Sequence, residues 1–168
     1  MALRGPIFQV CWVVEELAPA REWFSERHGV ERWLTIADVH FPPETCMFRG
    51  QPGDYTIDVS IAYAGSQQVE LIMPVSGRNI YIEHLESRGP GVQHLAYIPD
   101  DFDQAILDAA AAGLEVPQLG RMTEVGMDFA YIEGGPLGTY VEIMRLSDTM
   151  HDLFDSLLPE GYHNPWHP

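Results

Sequence analysis

The chain has 168 residues, the size of one ordinary domain and enough to enclose a full hydrophobic core. Hydrophobic residues make up 46% and charged residues 20%, a globular profile rather than a disordered one. Acids outnumber bases 25 to 9, for a formal charge of -16, which repels phosphate backbones and anionic lipid and argues against nucleic-acid and membrane partners.

In chain order, the first apolar strand is Phe8 to Val14, followed by Glu15, Glu16 and Leu17. Ala18-Pro19-Ala20 looks superficially like a signal-cleavage site, but the two glutamates interrupt the apolar stretch before it, so no secretory leader is expected. Pro19 suits a first helical turn, and Gly29 ends the helix that runs through Ala20 and Phe24. A Pro/Gly-rich excursion follows, roughly Asp38 to Gly53. Thr56 to Tyr63 then alternates as a strand, with Ile57, Val59, Ile61 and Tyr63 on one face and Asp58 and Ser60 on the other. Val69-Glu70-Leu71-Ile72-Met73 sets a carboxylate in an otherwise apolar strand.

The pattern then repeats. Gln93-His94-Leu95-Ala96-Tyr97-Ile98 is again an apolar strand, followed by Asp100, Asp101 and Phe102. Asp101 with Gln104 suits a capping box, Phe102, Ala105, Ile106 and Ala109 form one apolar stripe, and Gly113 suits a C-terminal cap. Met127 to Ile132 runs into Gly134-Gly135-Pro136-Leu137-Gly138. This segment leads into a strand, and the chain contains no lysine, so it is a turn and not a phosphate cradle. The missing lysine also excludes imine-forming aldolases and pyridoxal enzymes. Val141-Glu142-Ile143-Met144 closes the second half as Val69 to Met73 closes the first. Met150, Leu153, Phe154 and Leu157 follow helical spacing after Asp148, and Gly161 to Pro168 is a Pro/His/Trp tail in which His163 and His167, with His151, read as solvated. The expected organisation is one domain over 1–147, with modules of about 6–75 and 90–147, and a separate tail at 148–168.

Each half is thus strand, helix and about three strands, and its polar exceptions are Gln9, Glu70, His94 and Glu142. A polar group at the centre of a buried strand costs about 2–7 kcal/mol unless paired, and two facing carboxylates cost more. A divalent cation resolves both problems. One imidazole and three oxygens suit zinc, nickel, cobalt, manganese or magnesium. Read singly, each of the four is better explained as an ordinary strand or core residue; together, at matched repeat positions, they favour a metal. Cys11 shares the strand face of Gln9 and reads as a small buried hydrophobe. Asp58, Ser60, Tyr140 and Met144 are further candidates for a substrate wall, and Cys11 and Cys46 are too few for a secreted disulfide framework, so the chain reads as cytosolic.

The doubled layout with these four positions resembles the vicinal oxygen chelate superfamily, which includes glyoxalase I and methylmalonyl-CoA epimerase, from about Phe8 to Leu146. The resemblance implies an α+β fold of two βαβββ modules curving into an open, barrel-like cup. It implies Gln9, Glu70, His94 and Glu142 as ligands of one divalent metal. The ligand types match eukaryotic glyoxalase I, whereas Gly89 to Ala96 looks closer to the epimerase-like branch. It also implies a homodimer, a small-molecule carbonyl substrate, and proton transfer alpha to that carbonyl, giving an isomerase, epimerase or lyase outcome with Glu142 as first base and Glu70 as second. Three alternatives stand beside it. An extradiol dioxygenase wants two histidines and a carboxylate, and only His94 is available. A sequestering protein without catalysis should have lost the ligand set. A coenzyme A epimerase needs cations for phosphates, and Arg49, Arg78, Arg88 and Arg121 are scattered.

Overall fold

The computed structural model describes residues 6–133 and 135–166. Its framework is one curled, mixed sheet of ten strands with four helices. The first module contains β1 (Gln9–Val13), α1 (Leu17–His28), β2 (Leu34–Phe41), β5 (Tyr55–Ala64) and β6 (Gln67–Ser76). The second contains β7 (Gly91–Tyr97), α3 (Phe102–Ala111), β8 (Glu115–Met122), β9 (Met127–Glu133) and β10 (Tyr140–Leu146). The Pro/Gly-rich excursion supplies β3 (Cys46–Phe48) and β4 (Gln51–Pro52), and the sheet order is β2-β5-β6-β1-β7-β10-β9-β8-β3-β4. The fold is therefore the expected α+β cup of two βαβββ modules.

The register shows why the repeat is meaningful. β1 and β7 meet antiparallel at the centre, pairing Gln9 with Ala96 and Cys11 with His94. Outside them, β6 pairs parallel with β1 and β10 parallel with β7, setting Glu70 beside Cys11 and Glu142 beside Ala96. Exchanging Gln9 with His94, Cys11 with Ala96 and Glu70 with Glu142 leaves this pairing unchanged, which is the signature of a pseudo-twofold axis between β1 and β7. Because side chains alternate across a strand, all four candidate ligands then share the concave face.

Helix ends follow local chemistry. Gly29 adopts φ 66 at the end of α1, where the left-handed conformation favours glycine. Asp101 accepts from Gln104 N at the start of α3. The capping box is only half formed, since the Gln104 side chain donates onward to Asp108. Ser147 caps α4 (Asp148–Leu157) by accepting from Met150 N.

One helix escapes the sequence pattern. α2 (Ile80–Arg88) links the modules, with Asn79 accepting from Tyr81 N and Ile82 N as its cap. Ile80 and Tyr81 are buried inside the cup. Met150 and Phe154 of α4 join the same core, so α2 and α4 close over the sheet from outside the repeats. The tail follows them inward: Trp166 packs on Phe8 and stacks with His151, which is half-buried rather than solvated. His167 lies outside the described residues.

Candidate metal centre

Gln9, His94 and Glu142 are almost completely buried, and Glu70 is 8% exposed. His94 Nε2 lies 3.0 Å from a Glu142 oxygen and 3.2 Å from a Glu70 oxygen. None of these contacts is aligned as a hydrogen bond. Gln9 Oε1, Glu70 Oε2, His94 Nε2 and Glu142 Oε2 all lack a hydrogen-bond partner. Four buried polar atoms without an aligned hydrogen bond are costly, at about 1–3 kcal/mol each, and with His94 neutral they are the donor set a divalent cation takes. The residues fit the group.

Neighbouring polar groups orient this set. His94 Nδ1 donates to Gln93 Oε1 at 2.5 Å, which turns the Nε2 lone pair toward the carboxylates. Gln9 is held by a longer run. Its Nε2 donates to Gln68 Oε1 at 2.6 Å, Gln68 Nε2 donates to Tyr63 OH at 2.7 Å, and Tyr63 OH donates to Asn164 Oδ1 at 2.9 Å. Asn164 Nδ2 then donates to Asp155 at 2.7 Å. A carboxylate only accepts, so Asp155 fixes the sense of every bond in the run and leaves Gln9 Oε1 facing the centre.

Electrostatics reflects the crowding. Burial alone would push the His94 imidazole down, but Glu142 and Glu70 outweigh it and hold it up at about 9. Burial raises the Glu142 carboxyl, against the opposing pull of His94. The site thus retains a proton where positive charge is needed, which a divalent cation would displace. Cys11 Sγ lies within 4.8 Å of the Glu70 and His94 donor atoms. Burial first, then Glu70, pushes this thiol up, so it stands as a neutral neighbour. Tyr131 lies against Glu142 and shares a 2.7 Å hydroxyl contact with Tyr81. Burial, reinforced by Glu142, keeps both phenols protonated.

The four sequence candidates therefore come together. The wall candidates divide. Met144 lines the cavity above the centre, together with Ile57, Val59 and Ile61, whereas Asp58 and Ser60 are directed to the other face of β5. There Asp58 accepts from Asp38 N and Ser60 contacts Thr35, because an apolar interior selects the apolar face of an alternating strand. Tyr140 lines a separate polar groove beside α2. Gln68, Tyr63 and Asn164 were invisible to motif reading. Their available signal is period two, which puts Gln68 on the face of Glu70 and Tyr63 on the apolar face of its strand.

Comparison with known proteins agrees with this architecture. A hypothetical protein from Bacillus halodurans superposes with a TM-score of 0.64 at 14% identity, covering 86% of this chain and 96% of its own. Methylmalonyl-CoA epimerase from Mycobacterium tuberculosis gives 0.56 at 19% identity, covering 89% and 93%. A variant of the Streptomyces coelicolor methylmalonyl-CoA epimerase gives 0.58 at 17%, covering 88% and 98%. At such identities the likeness is one of fold. No curated protein sequence matches the chain. The family model described as Glyoxalase/Bleomycin resistance protein/Dioxygenase superfamily matches residues 8–131, most of the doubled pattern, and the chain belongs to that superfamily.

Proposed function

We propose that the protein is a divalent-metal-dependent enzyme that moves a proton alpha to a carbonyl of a small-molecule substrate, as an isomerase, epimerase or glyoxalase-type lyase. The observation that carries this is the convergence of four unpartnered, buried donor atoms from Gln9, Glu70, His94 and Glu142. These residues would hold the cation, and the cation, when bound, supplies positive charge that acidifies the carbon next to the carbonyl. Glu142 receives the proton. Its buried carboxyl is already raised, as a base working near neutrality requires, and Tyr131 beside it holds the carboxylate in place. Glu70, related to Glu142 by the pseudo-twofold axis, faces the same cavity and is the second base. The structural neighbours named as epimerases support this class of chemistry. A histidine-poor donor set disfavours the extradiol reading.

Glu142→Gln tests the assignment. The variant should fold and should slow turnover by at least about 10²-fold, the effect typical of a lost general base. Solvent deuterium should enter the substrate's alpha carbon only with the parent protein. A variant as fast as the parent, with no such exchange in either, overturns it.

We further propose a homodimer working in the cytosol. Two free cysteines, Cys11 and Cys46, fit a reducing compartment, and no described helix is long and apolar enough to cross a membrane. The dimer rests on family resemblance alone, because the apolar face of α4 packs into its own cup and is not left for a partner chain. A single-chain mass by light scattering at micromolar concentration overturns it.

A further inference from the structure

The floor of the cup carries charge and its walls carry none. Gln9, Glu70 and Glu142 open onto a cavity of about 120 Å³. Above them the lining is hydrocarbon and aromatic, with Val59 and Ile61 from β5, Met127 and Phe129 from β9, and Leu153 and Phe154 from α4 among its residues. No arginine or lysine lines it. An apolar cavity of about 150 Å³ accommodates a benzene molecule, whereas drug-sized ligands occupy about 300–1,000 Å³. The space is that of one small hydrocarbon body.

The surroundings offer no anchor for an extended anionic substrate. The polar groove beside α2 contains Arg49, Arg78 and Arg88. Arg49 is held bidentately by Glu83 and Arg78 by both oxygens of Glu86, while Arg88 donates to the Gly138 carbonyl. With Glu133 also in the groove, three acids balance three arginines. A pyrophosphate would find no net positive field there. A carboxylate on the substrate body would face hydrocarbon without a counter-ion, and burying an unpaired charge is strongly unfavourable.

We infer that the substrate is a compact, uncharged molecule with two neighbouring oxygens at one end and a hydrocarbon body about the size of one ring. Coenzyme A thioesters and glutathione adducts are not substrates. This rests on the metal-centre reading for the oxygens, and on the cavity walls alone for the body.

Two measurements separate these parts. In the first, cobalt(II)-loaded protein is titrated with benzohydroxamate, acetohydroxamate and methylmalonyl-CoA while its visible spectrum is recorded. The two hydroxamates share one chelating head and differ in the apolar body. At about 0.8 kcal/mol per buried methylene, benzohydroxamate should bind at least about 10-fold more tightly than acetohydroxamate, and methylmalonyl-CoA should leave the spectrum unchanged. Equal affinity of the two hydroxamates, or methylmalonyl-CoA binding as tightly as benzohydroxamate, overturns the inference. In the second, toluene is added to protein treated with a chelator. It has no oxygen for a cation to hold, so a rise in melting temperature reports the walls alone. No rise overturns the proposed body even if cobalt binds. A rise in protein that takes up no cobalt keeps the hydrocarbon body and refutes the metal centre instead.

Discussion

Loading the centre with zinc should stabilise the protein more as the pH rises. Without a cation, His94 Nε2 and the two carboxylates are reconciled by a proton. The imidazole, held at about 9 against an ordinary value near 6.5, stabilises the fold fully below about pH 6.5, and that contribution disappears as the pH climbs through 9. The interval corresponds to about 3 kcal/mol. Glu142 acts in the same direction: its raised carboxyl favours the native state at low pH and loses that advantage as the pH rises through its native value. Zinc replaces the proton, so the loaded protein escapes this loss while the competition for its ligands eases. His84 is lowered chiefly by burial and then by Arg88, with a smaller push from His94, which gives the opposite slope, but its two leading causes are the same with or without zinc and cancel in the difference. A ligand at about 100 times its dissociation constant adds about 2.7 kcal/mol, or roughly 5–10 °C for a chain of this size. The gap between loaded and chelator-treated melting temperatures should therefore be about 5–10 °C near pH 6.5 and roughly 10–20 °C near pH 9. Differential scanning calorimetry across that range reads it directly. A gap that stays constant or narrows, or one that persists in His94→Ala, refutes the reasoning.

Other perturbations give sharper local readings. Tyr63→Phe breaks the hydrogen-bond run behind Gln9 and should weaken zinc affinity by about 10-fold, near the net value of one buried bond; chelator competition should show no such loss when Gln9→Ala is already present. Gly77 has φ 77, and a Cβ there would lie 2.1 Å from the Asp54 carbonyl oxygen, so Gly77→Ala should cost more than about 3 kcal/mol in urea unfolding. Phe154→Ala removes a fully buried ring where α4 meets the cup, and the same assay should show a loss of about 3–5 kcal/mol.

The strands and the four candidate ligand positions are legible because they obey short periods. An alternating strand declares its two faces, and a polar residue that violates the apolar face at matched places in two halves stands out; Gln9, Glu70, His94 and Glu142 were found this way. What lay outside the repeat was harder to see. α2 has a visible start in Asn79 and apolar residues at Ile80, Tyr81 and Leu85, but only nine residues, too short for periodicity to distinguish it from a loop. Asp58 and Ser60 lie outside the walls because this cavity is apolar, so polarity on β5 marks the face turned away from it. The run from Gln9 to Asp155 joins residues as far apart as 101 positions, and no local pattern encodes a contact made only when the tail folds back.

A cup built from two similar halves sets its carboxylates facing each other across a twofold axis, and such an arrangement by itself treats the two faces of a flat carbon alike. Handedness has to come from elsewhere. Here it comes from what the two halves do not share: α2 places Tyr81 against Tyr131 on the Glu142 side, whereas Glu70 faces the thiol of Cys11. One base is backed by a pair of phenols and the other by sulfur. In the proposed reaction a planar carbanion between them would meet two chemically different proton donors. On that proposal its stereochemical fate would be set by the linker between the repeats and by one β1 side chain, not by the duplicated carboxylates themselves.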